Sequence, residues 1–381
     1  MAISIGAVWG KVWPFLVAIL YFGFLILSHE LGHFGTARAF RVRVTEFSLG
    51  MGPKLLKFKR GETTYCLKAI PFGGSCMMDE DVENSDDPRG FVNQKAWKRA
   101  LILVNGAVMN LLCGLVIMTI MVGTRGLVHT MKINYFAEGA TSQASGLQAG
   151  DEFRKINGRR VYSSLDINFL LSRDSDGVVD LVMRRDGKDM AFQGVAFPSE
   201  TADNGQKITY QDFVGLGIAR DKNDPDSVSA PKYAAMVLGD SARECVSVVR
   251  IVWLSVLDLV TGKYHFADLS GPVGVVQIIS DQASEAQASA EANDSEALHD
   301  AVQMLLFLFA LISMNIGLMN LLPIPALDGG RIFFCLAEMI FRKPIPKKFE
   351  AVVHAVGIVL LFGFMIVVSI TDIIAWVKGT R

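Results

Sequence analysis

The stretch VWPFLVAILYFGFLILSHELGHFG, residues 12–35, joins a long apolar run to two histidines and a glutamate. The run from 12 to 28 is long enough to cross the hydrocarbon core of a bilayer, which is about 30 Å thick. Ionisable side chains beside such a segment are costly, rare and usually functional. We therefore expect a membrane span with a functional site at its end.

The composition lies between that of a soluble enzyme and that of a bare helical bundle. Of 381 residues, 51% are hydrophobic and 20% are charged, and the mean hydropathy is +0.35. This combination predicts membrane spans together with a water-soluble domain. The net charge of −1 and the lack of a basic stripe with interleaved aromatic residues give no reason to expect nucleic-acid binding. The five cysteines form no CxxC pair, which argues against a disulfide framework or a thiolate zinc site.

Other segments extend the membrane pattern. Residues 101–123 and 351–377 are apolar, and 302–327 is apolar but interrupted by NLLPIPALDGG. A membrane tolerates proline-broken backbone only where it is buried in protein or lines a cavity, so this interruption is a second candidate for a site. The pattern of residues 230–262 predicts an amphipathic helix that lies at the membrane interface and does not cross the membrane. Residues 281–300, rich in Ala, Ser and acidic residues, predict a solvated linker or a surface helix.

Charge placement predicts the topology. Lys and Arg are concentrated between spans one and two and between spans three and four, and such short basic loops mark the cytoplasmic side. Both termini and the region 124–300 are then expected on the opposite side. His29 and Asp328 would share one depth in the membrane only if residues 230–262 do not cross it.

The motif HELGH has the spacing of a metal site. His29 and His33 lie four residues apart, on one face of a helix, so both imidazoles can reach one metal ion. Glu30 is rotated by about 100° from His29, which would put its carboxylate beside the metal, where it can polarise water. A catalytic zinc site has three protein ligands and an open fourth position for water. Two solvated histidines at a helix end are the alternative, but the adjoining span favours zinc.

The third ligand must come from elsewhere in the chain. We favour Asp328, because it follows the proline-broken segment and precedes Gly329 and Gly330, which permit close packing. An Asp-Gly-Gly sequence is also a common turn. Weaker candidates, each explained equally well as a surface or span-end residue, are Glu46, Asp79 and His354.

HELGH at 29–33 together with NLLPIPALDGG at 320–330 closely resembles the site-2 protease family of intramembrane zinc metalloproteases, in the bacterial regulator-of-sigma-factor form that carries a PDZ domain. Supporting segments in the family's order are FSLGMGPKL (47–55), AIPFGG (69–74) and LSGPVG (269–274). The resemblance implies a Zn2+ ion bound by His29, His33 and Asp328, with Glu30 as the general base. It also implies substrate-binding roles for Asn110, Asn315, Asn320, Gly73, Gly74, Pro323 and Pro325. Bonding between helices explains asparagines in an apolar span about equally well.

Two departures from the family pattern affect the seating of substrate. GGSCMM (73–78) stands where the family has Gly-Gly-Tyr-Val-Lys-Met, and NGA (105–107) stands where it has Ala-Gly-Pro.

Residues 61–78 alternate like a strand pair and predict a membrane-dipping hairpin. Its free edge could add the substrate as an extra strand, or it could be purely structural.

A second resemblance concerns the region between spans two and three. Residues 139–161, followed by a helix-like SLDINFLLSRD and strand-like VVDLVMRR and MAFQGVAF, are similar to a PDZ domain. Such a domain could serve as a docking site for peptide ends or as a steric gate.

The expected fold is a mainly α polytopic membrane protein of about four transmembrane helices, with a membrane-associated β-hairpin and an inserted α+β PDZ domain. Its expected parts are an N-terminal membrane core (1–123), an extracytoplasmic PDZ domain (124–222), an amphipathic helix and linker (223–300) and a C-terminal membrane core (301–381). The expected function is intramembrane zinc endopeptidase activity on single-span proteins, which the resemblance identifies as anti-sigma factors or remnant signal peptides. The cut would fall near the cytoplasmic side of a bacterial inner membrane.

Two other functions are alternatives to this one. A catalytically silent membrane-anchored PDZ adaptor with a structural zinc would have no use for a base at Glu30. A metal transporter would need polar residues through several spans, and the sequence has none.

Overall fold

The computed structural model describes residues 5–78, 87–174, 176–201, 207–219, 228–262 and 271–378. The chain forms two compact units, residues 1–114 with 258–381 and residues 115–257. The helices are α1 (Ile5–Ala39), α2 (Ala96–Arg125), α3 (Thr141–Ala144), α4 (Ser164–Ser172), α5 (Ala230–Val260), α6 (Pro272–Glu291), α7 (Ser295–Met319), α8 (Asp328–Phe341) and α9 (Lys347–Lys378). The strands are β1 (Glu46–Arg60), β2 (Thr63–Met77), β3 (Leu127–Phe136), β4 (Glu152–Ile156), β5 (Arg159–Arg160), β6 (Val178–Arg185), β7 (Lys188–Ala196), β8 (Ser199–Thr201), β9 (Lys207–Thr209) and β10 (Phe213–Ala219).

Four of the described helices are long and apolar enough to cross a membrane, as the sequence predicts. They are Val12–Ala39, Ala96–Arg125, Ser295–Met319 and Lys347–Ile374. The amphipathic α5 is not among them. The chain is therefore mainly helical, with four candidate spans and additional strands.

Helix α1 does not end at His29, where the sequence predicts the end of the first span. It continues through HELGH to Ala39, because the turns that follow still have a face to bury. Ala37 is fully buried in an apolar cluster with Ile102 of α2 and Cys335 of α8. The histidines therefore lie within a helix that is packed on both sides of them.

The hairpin differs from its prediction. Most of residues 61–78 form one strand, β2, whose partner is β1, and not a strand pair of their own. A period of two cannot distinguish one long strand from two short ones, and the turn lies at Gly61, with a φ of +64°. Within the sheet, Glu46–Leu49 pair with Thr64–Leu67 on one side and with Gly74–Met77 on the other.

The segment 281–300 is helical and packed, so the linker interpretation is wrong and the surface helix is right for most of it. Helix α6 contacts α1, α7 and α9, and its Ile279 and Ala283 are fully buried. The chain breaks only after Glu291, and α7 then begins behind Asp294, whose carboxylate accepts the backbone N–H groups of Glu296 and Ala297.

The second unit contains a six-stranded antiparallel sheet. Its order is β10-β3-β4-β6-β7, with β5 paired to β4. The helix and strands predicted within 164–196 are confirmed as α4, β6 and β7. Helix α5 is fixed to α4 by an ion pair of 2.6 Å between Arg250 Nη2 and the buried Asp166 Oδ1.

Candidate metal centre

Three side chains from two helices meet at one point. The Asp328 Oδ2 atom lies 3.0 Å from His29 Nε2 and 3.1 Å from His33 Nε2, and the two Nε2 atoms are 3.1 Å apart. The side chains are between 7% and 20% exposed, so the point is shielded but not sealed. Among the described residues, these three form the one group of His, Cys, Asp or Glu side chains that are close enough together to bind one metal ion.

The protonation of His33 is fixed from its other side. Its Nδ1 atom donates to the backbone carbonyl of Ile102 on α2, at 2.8 Å, and a carbonyl can only accept. The lone pair of a neutral His33 therefore lies on Nε2, directed at His29 and Asp328. Such a bond to the second ring nitrogen is the usual support of a metal-binding histidine.

Helix α2 leaves room for both imidazoles. A Cβ atom at Gly106 would lie 2.4 Å from His33 Nε2 and 2.8 Å from His29 Cε1. On the facing helix, a Cβ atom at Gly32 would lie 2.3 Å from the Asn105 carbonyl oxygen. Asn105 also donates to the hydroxyl of Thr36. The glycine within HELGH thus lets α1 and α2 approach closely beside the histidines.

The donor set fits zinc. Two imidazole nitrogens lie 3.1 Å apart, and one carboxylate oxygen lies next to both, so three donor atoms meet at a point where a cation would bind all of them. Ligand atoms about 2.0 Å from a tetrahedral Zn2+ would be about 3.3 Å apart, close to the distances found. Nitrogen and oxygen donors in this number are typical of a catalytic zinc site with an open position.

Glu30 lies next to this group without joining it. Its carboxylate accepts the backbone N–H of Cys76 on β2. A Cβ atom at Gly74 would lie 2.9 Å from Glu30 Cγ and 2.8 Å from Ile26 Cγ2. Strand β2 therefore runs against α1 at the level of Glu30, and only a residue without a side chain fits there.

Asp328 is brought to the site by the broken segment after α7. Helix α7 ends at Met319, and α8 begins at Asp328 itself, so that the broken segment comprises residues 320–327. A Cβ atom at Gly329 would lie 1.9 Å from the Leu322 carbonyl oxygen, and one at Gly330 would lie 2.7 Å from that of Ile324. The two glycines after Asp328 allow α8 to fold back on the segment that precedes it.

The weaker ligand candidates lie elsewhere. Glu46 pairs with Lys54 at 2.5 Å and with Lys68 at 3.0 Å on the hairpin. His354 accepts the backbone N–H of Ala326 through Nδ1, at 3.1 Å. Asp79 lies outside the described residues.

The predicted substrate-binding residues occupy different environments. Asn110 is fully buried, and its Oδ1 accepts from Ser28 at 2.9 Å while its backbone carbonyl accepts from Ser313 at 2.7 Å. These bonds join α1, α2 and α7. They match the alternative explanation of Asn110, in which the asparagine bonds helices to one another. Asn315 is exposed on α7. The others are half-buried or exposed on the broken segment or on β2: Asn320, Pro323, Pro325, Gly73 and Gly74.

Comparison with known proteins identifies the family of the chain. The model of Peptidase family M50 matches residues 17–364. The chain belongs to peptidase family M50. This is the family of the site-2 proteases, and the M50 chain is thus a zinc metalloprotease with four candidate membrane spans.

Related proteins match this M50 metalloprotease along nearly its whole length. A protein of Clostridium acetobutylicum named as a zinc metalloprotease is 34% identical over 360 residues, covering 94% of this chain and 97% of that protein. One of Clostridium perfringens with the same description is 34% identical, covering 94% and 98%. One of Campylobacter jejuni is 30% identical, covering 94% and 93%.

Several contributors to the site were missed from the sequence. The Ile102 carbonyl has no side-chain signal at all. Gly106 could have been suspected, because it lies in an apolar span where glycine permits close approach between helices. The sequence suggests His354 only as a possible ligand, whereas in the structure it bonds the backbone of the broken segment at Ala326.

Proposed function

We propose that this M50 metalloprotease cuts peptide bonds within the membrane, with His29, His33 and Asp328 holding zinc and Glu30 acting as general base. The observation that carries the proposal is the convergence of two Nε2 atoms and one carboxylate oxygen within 3.1 Å, beside a glutamate that is not part of the group. These residues belong to or adjoin helices with the length of membrane spans.

Each group in the site has a task in hydrolysis. Zinc, when bound, supplies a Lewis acid that polarises the substrate carbonyl and makes water more acidic. Glu30 takes the proton from the attacking water and passes it to the leaving amine. The Cys76 N–H holds the Glu30 carboxylate on the β2 side. The carbonyl of Ile102 keeps the lone pair of His33 directed into the site.

The substitution Glu30→Gln tests this assignment. Glutamine keeps the size of the side chain but cannot accept the proton, so zinc content should be unchanged while cleavage of a transmembrane peptide falls by about 10² to 10⁴. Asp328→Asn and His33→Ala should instead lower zinc affinity. A Glu30→Gln protein that cleaves at nearly the normal rate would contradict the enzymatic role and favour the silent adaptor, for which the zinc is structural.

The substrate is a single-span protein unwound beside β2. In the described part of the chain, Gly74–Met77 pair with Glu46–Leu49 on one edge, and no described strand pairs with the other. A substrate added to that second edge would have its amides satisfied as a strand and would run past Glu30. Asn315, Asn320 and the backbone near Pro323 and Pro325 would bind the unwound segment from the α7 side.

We place the zinc site near the cytoplasmic face of a bacterial inner membrane, and residues 127–219 on the other side. The support is the excess of Lys and Arg in the loops that follow the first and third spans. Cysteine at Lys57 or Lys347 should resist a membrane-impermeant thiol reagent in intact cells, and cysteine at Asp186 should react. All three positions are exposed, so a reversed pattern would mean a reversed topology.

We propose further that residues 124–222 form a PDZ domain that acts as a gate, so that only substrates trimmed outside the membrane, such as anti-sigma factors or remnant signal peptides, reach the zinc. The six-stranded sheet with its two short helices supports a domain of this class. Replacing residues 127–220 by a flexible bridge should allow cleavage of substrates that still carry a folded ectodomain. Loss of activity on trimmed substrates alone, with zinc still bound, would indicate docking instead.

A further inference from the structure

The broken segment before Asp328 contains a backbone conformation that its sequence does not favour. Ala326 has a φ of +84°, in the left-handed region that non-glycine residues rarely adopt. Alanine has no polar side chain that could stabilise this turn locally. Leu327 then returns to extended backbone, with a φ of −98° and a ψ of 165°, and Asp328 begins α8. Such conformations persist at functional sites only where the surroundings hold them.

Two hydrogen bonds hold this turn, one within it from the Leu327 N–H to the Ile324 carbonyl at 3.2 Å and one from outside it, to His354 on α9. The backbone N–H of Ala326 donates to His354 Nδ1 at 3.1 Å. One turn further along α9, a Cβ atom at Gly357 would lie 2.4 Å from Pro325 Cβ, so α9 fits closely against the segment. From the other side, a Cβ atom at Gly330 would lie 3.2 Å from His354 Cε1. The imidazole is thus packed between the turn and the first residues of α8.

Among the described residues, the hydrogen bond to Ala326 is the one polar contact of the His354 side chain. The residue is 9% exposed, and its ring packs against Phe334, with 5.9 Å between centroids. Because a backbone N–H can only donate, Nδ1 accepts and the proton of the neutral ring lies on Nε2, which has no hydrogen-bond partner among the described residues. A polar ring inside an apolar bundle is costly, and the bond to Ala326 is what the described structure offers in return.

We propose that His354 is a positioning residue for Asp328. Its Nδ1 atom anchors the left-handed turn at Ala326, and the turn aims the Asp328 carboxylate at the Nε2 atoms of His29 and His33. This inference rests on the proposed function, in which Asp328 binds zinc. It assigns His354 no contact with metal or substrate.

Three substitutions distinguish an acceptor at Nδ1 from mere packing. The side-chain oxygen of asparagine can take the place of Nδ1, that of glutamine takes the place of Nε2, and leucine offers no acceptor. We expect His354→Asn to retain zinc affinity within about threefold, and His354→Leu and His354→Gln to lose about 10-fold or more, as second-sphere changes do. Ala326→Gly removes the penalty for the left-handed turn, so in the His354→Leu background it should recover affinity several-fold.

The measurement is zinc affinity of the full-length detergent-solubilised protein, by competition with a chromophoric chelator. The visible spectrum of the Co2+-substituted protein reports the ligand geometry independently of activity. His354→Asn should keep the wild-type spectrum, and His354→Leu should change it. Wild-type affinity and spectrum in His354→Leu, or an Asn variant as weak as the Leu variant, would overturn the inference.

Asp328→Asn, measured in the same way, separates this inference from the proposal beneath it. Unchanged zinc affinity in Asp328→Asn would refute the ligand assignment itself. Weakened affinity in Asp328→Asn together with unchanged affinity in His354→Leu would refute the positioning role alone.

Discussion

His33 Nδ1 lies 2.8 Å from the carbonyl oxygen of Ile102, and Gly106, one turn further along α2, lies under the same imidazole ring. One helix thus orients the ring through a backbone acceptor and leaves space for it by lacking a side chain. The zinc site therefore depends on α2, although α2 provides none of the three converging side chains.

Gly106→Ala should abolish or strongly weaken zinc binding. The added Cβ would lie 2.4 Å from His33 Nε2, closer than any non-bonded contact allows, and must displace the ring. We expect zinc affinity to fall by at least about 10-fold, as for changes that misplace a ligand. Gly23→Ala on α1 is the matched control, because its Cβ would meet no atom within 4 Å. Equal zinc content in the two variants would contradict this account of α2.

Gly74→Ala should act on the base and not on the metal. Its Cβ would lie 2.9 Å from Glu30 Cγ, so either the glutamate or β2 has to move. We expect the cleavage rate to fall by at least about 10-fold, because small displacements of a general base are costly, while zinc content stays normal. Measuring both quantities in Gly74→Ala and Gly106→Ala separates the two functions, and zinc loss in Gly74→Ala would be the unexpected result.

The second unit should be more stable in mild acid than in mild base because of Glu244. Burial raises the pKa of this carboxyl from 4.5 to about 7, although Arg125 Nη1, 3.6 Å from Glu244 Oε1, favours the charged form. Between these two values the folded protein keeps a proton that the unfolded chain has released. The free energy of unfolding therefore falls as pH rises through this window, by on the order of 3 kcal/mol.

Burial also raises the pKa of Asp240 and lowers that of His129, so the total pH dependence has several sources. The Glu244→Gln variant isolates one of them. Hydrogen exchange of α5, measured between about pH 5 and about pH 8, should show a weaker pH dependence of opening in this variant than in the wild type. The same slope in both proteins would exclude Glu244 as a source.

Arg99 ties α2 to the helix that begins with Asp328. Its Nη1 atom lies 3.1 Å from Glu338 Oε2 on α8, and each side chain is only 12% exposed. Arg99→Met would leave the Glu338 carboxylate shielded from water without this cation, and should lower the free energy of unfolding by about 2 kcal/mol. Arg184→Met, at the exposed pair with Asp189, should leave the thermal midpoint unchanged. Equal shifts in the two variants would count against the Arg99 contact.

The sequence predicted those parts of the structure that depend on local pattern. Four apolar runs, a histidine pair at helical spacing and a proline-broken segment before Asp328 were all readable, because each follows from composition or from a period along the chain. The pairing of HELGH with Asp328 was also within reach, since few other carboxylates stand at the end of a span.

The contributions that depend on tertiary contacts were not readable. A backbone acceptor such as the Ile102 carbonyl carries no residue signature, and any residue at 102 would present one. The extension of α1 to Ala39 is decided by burial of Ala37 against residues far along the chain. The left-handed turn at Ala326 and its bond to His354 join two segments whose relation only the packing of α9 defines.

The histidines of the metal centre and its aspartate are separated by about 300 residues of chain, which include the whole second unit. An ion bound by the histidines and the aspartate therefore closes a very long loop of the chain. The entropic cost of closing such a loop rises only with the logarithm of its length, by about 0.6 kcal/mol for each doubling. Only the part between α2 and α6 lies apart from the groups that orient the ligands, and its length affects this cost little. The domain there could therefore be enlarged, duplicated or exchanged over evolution at almost no cost to metal binding.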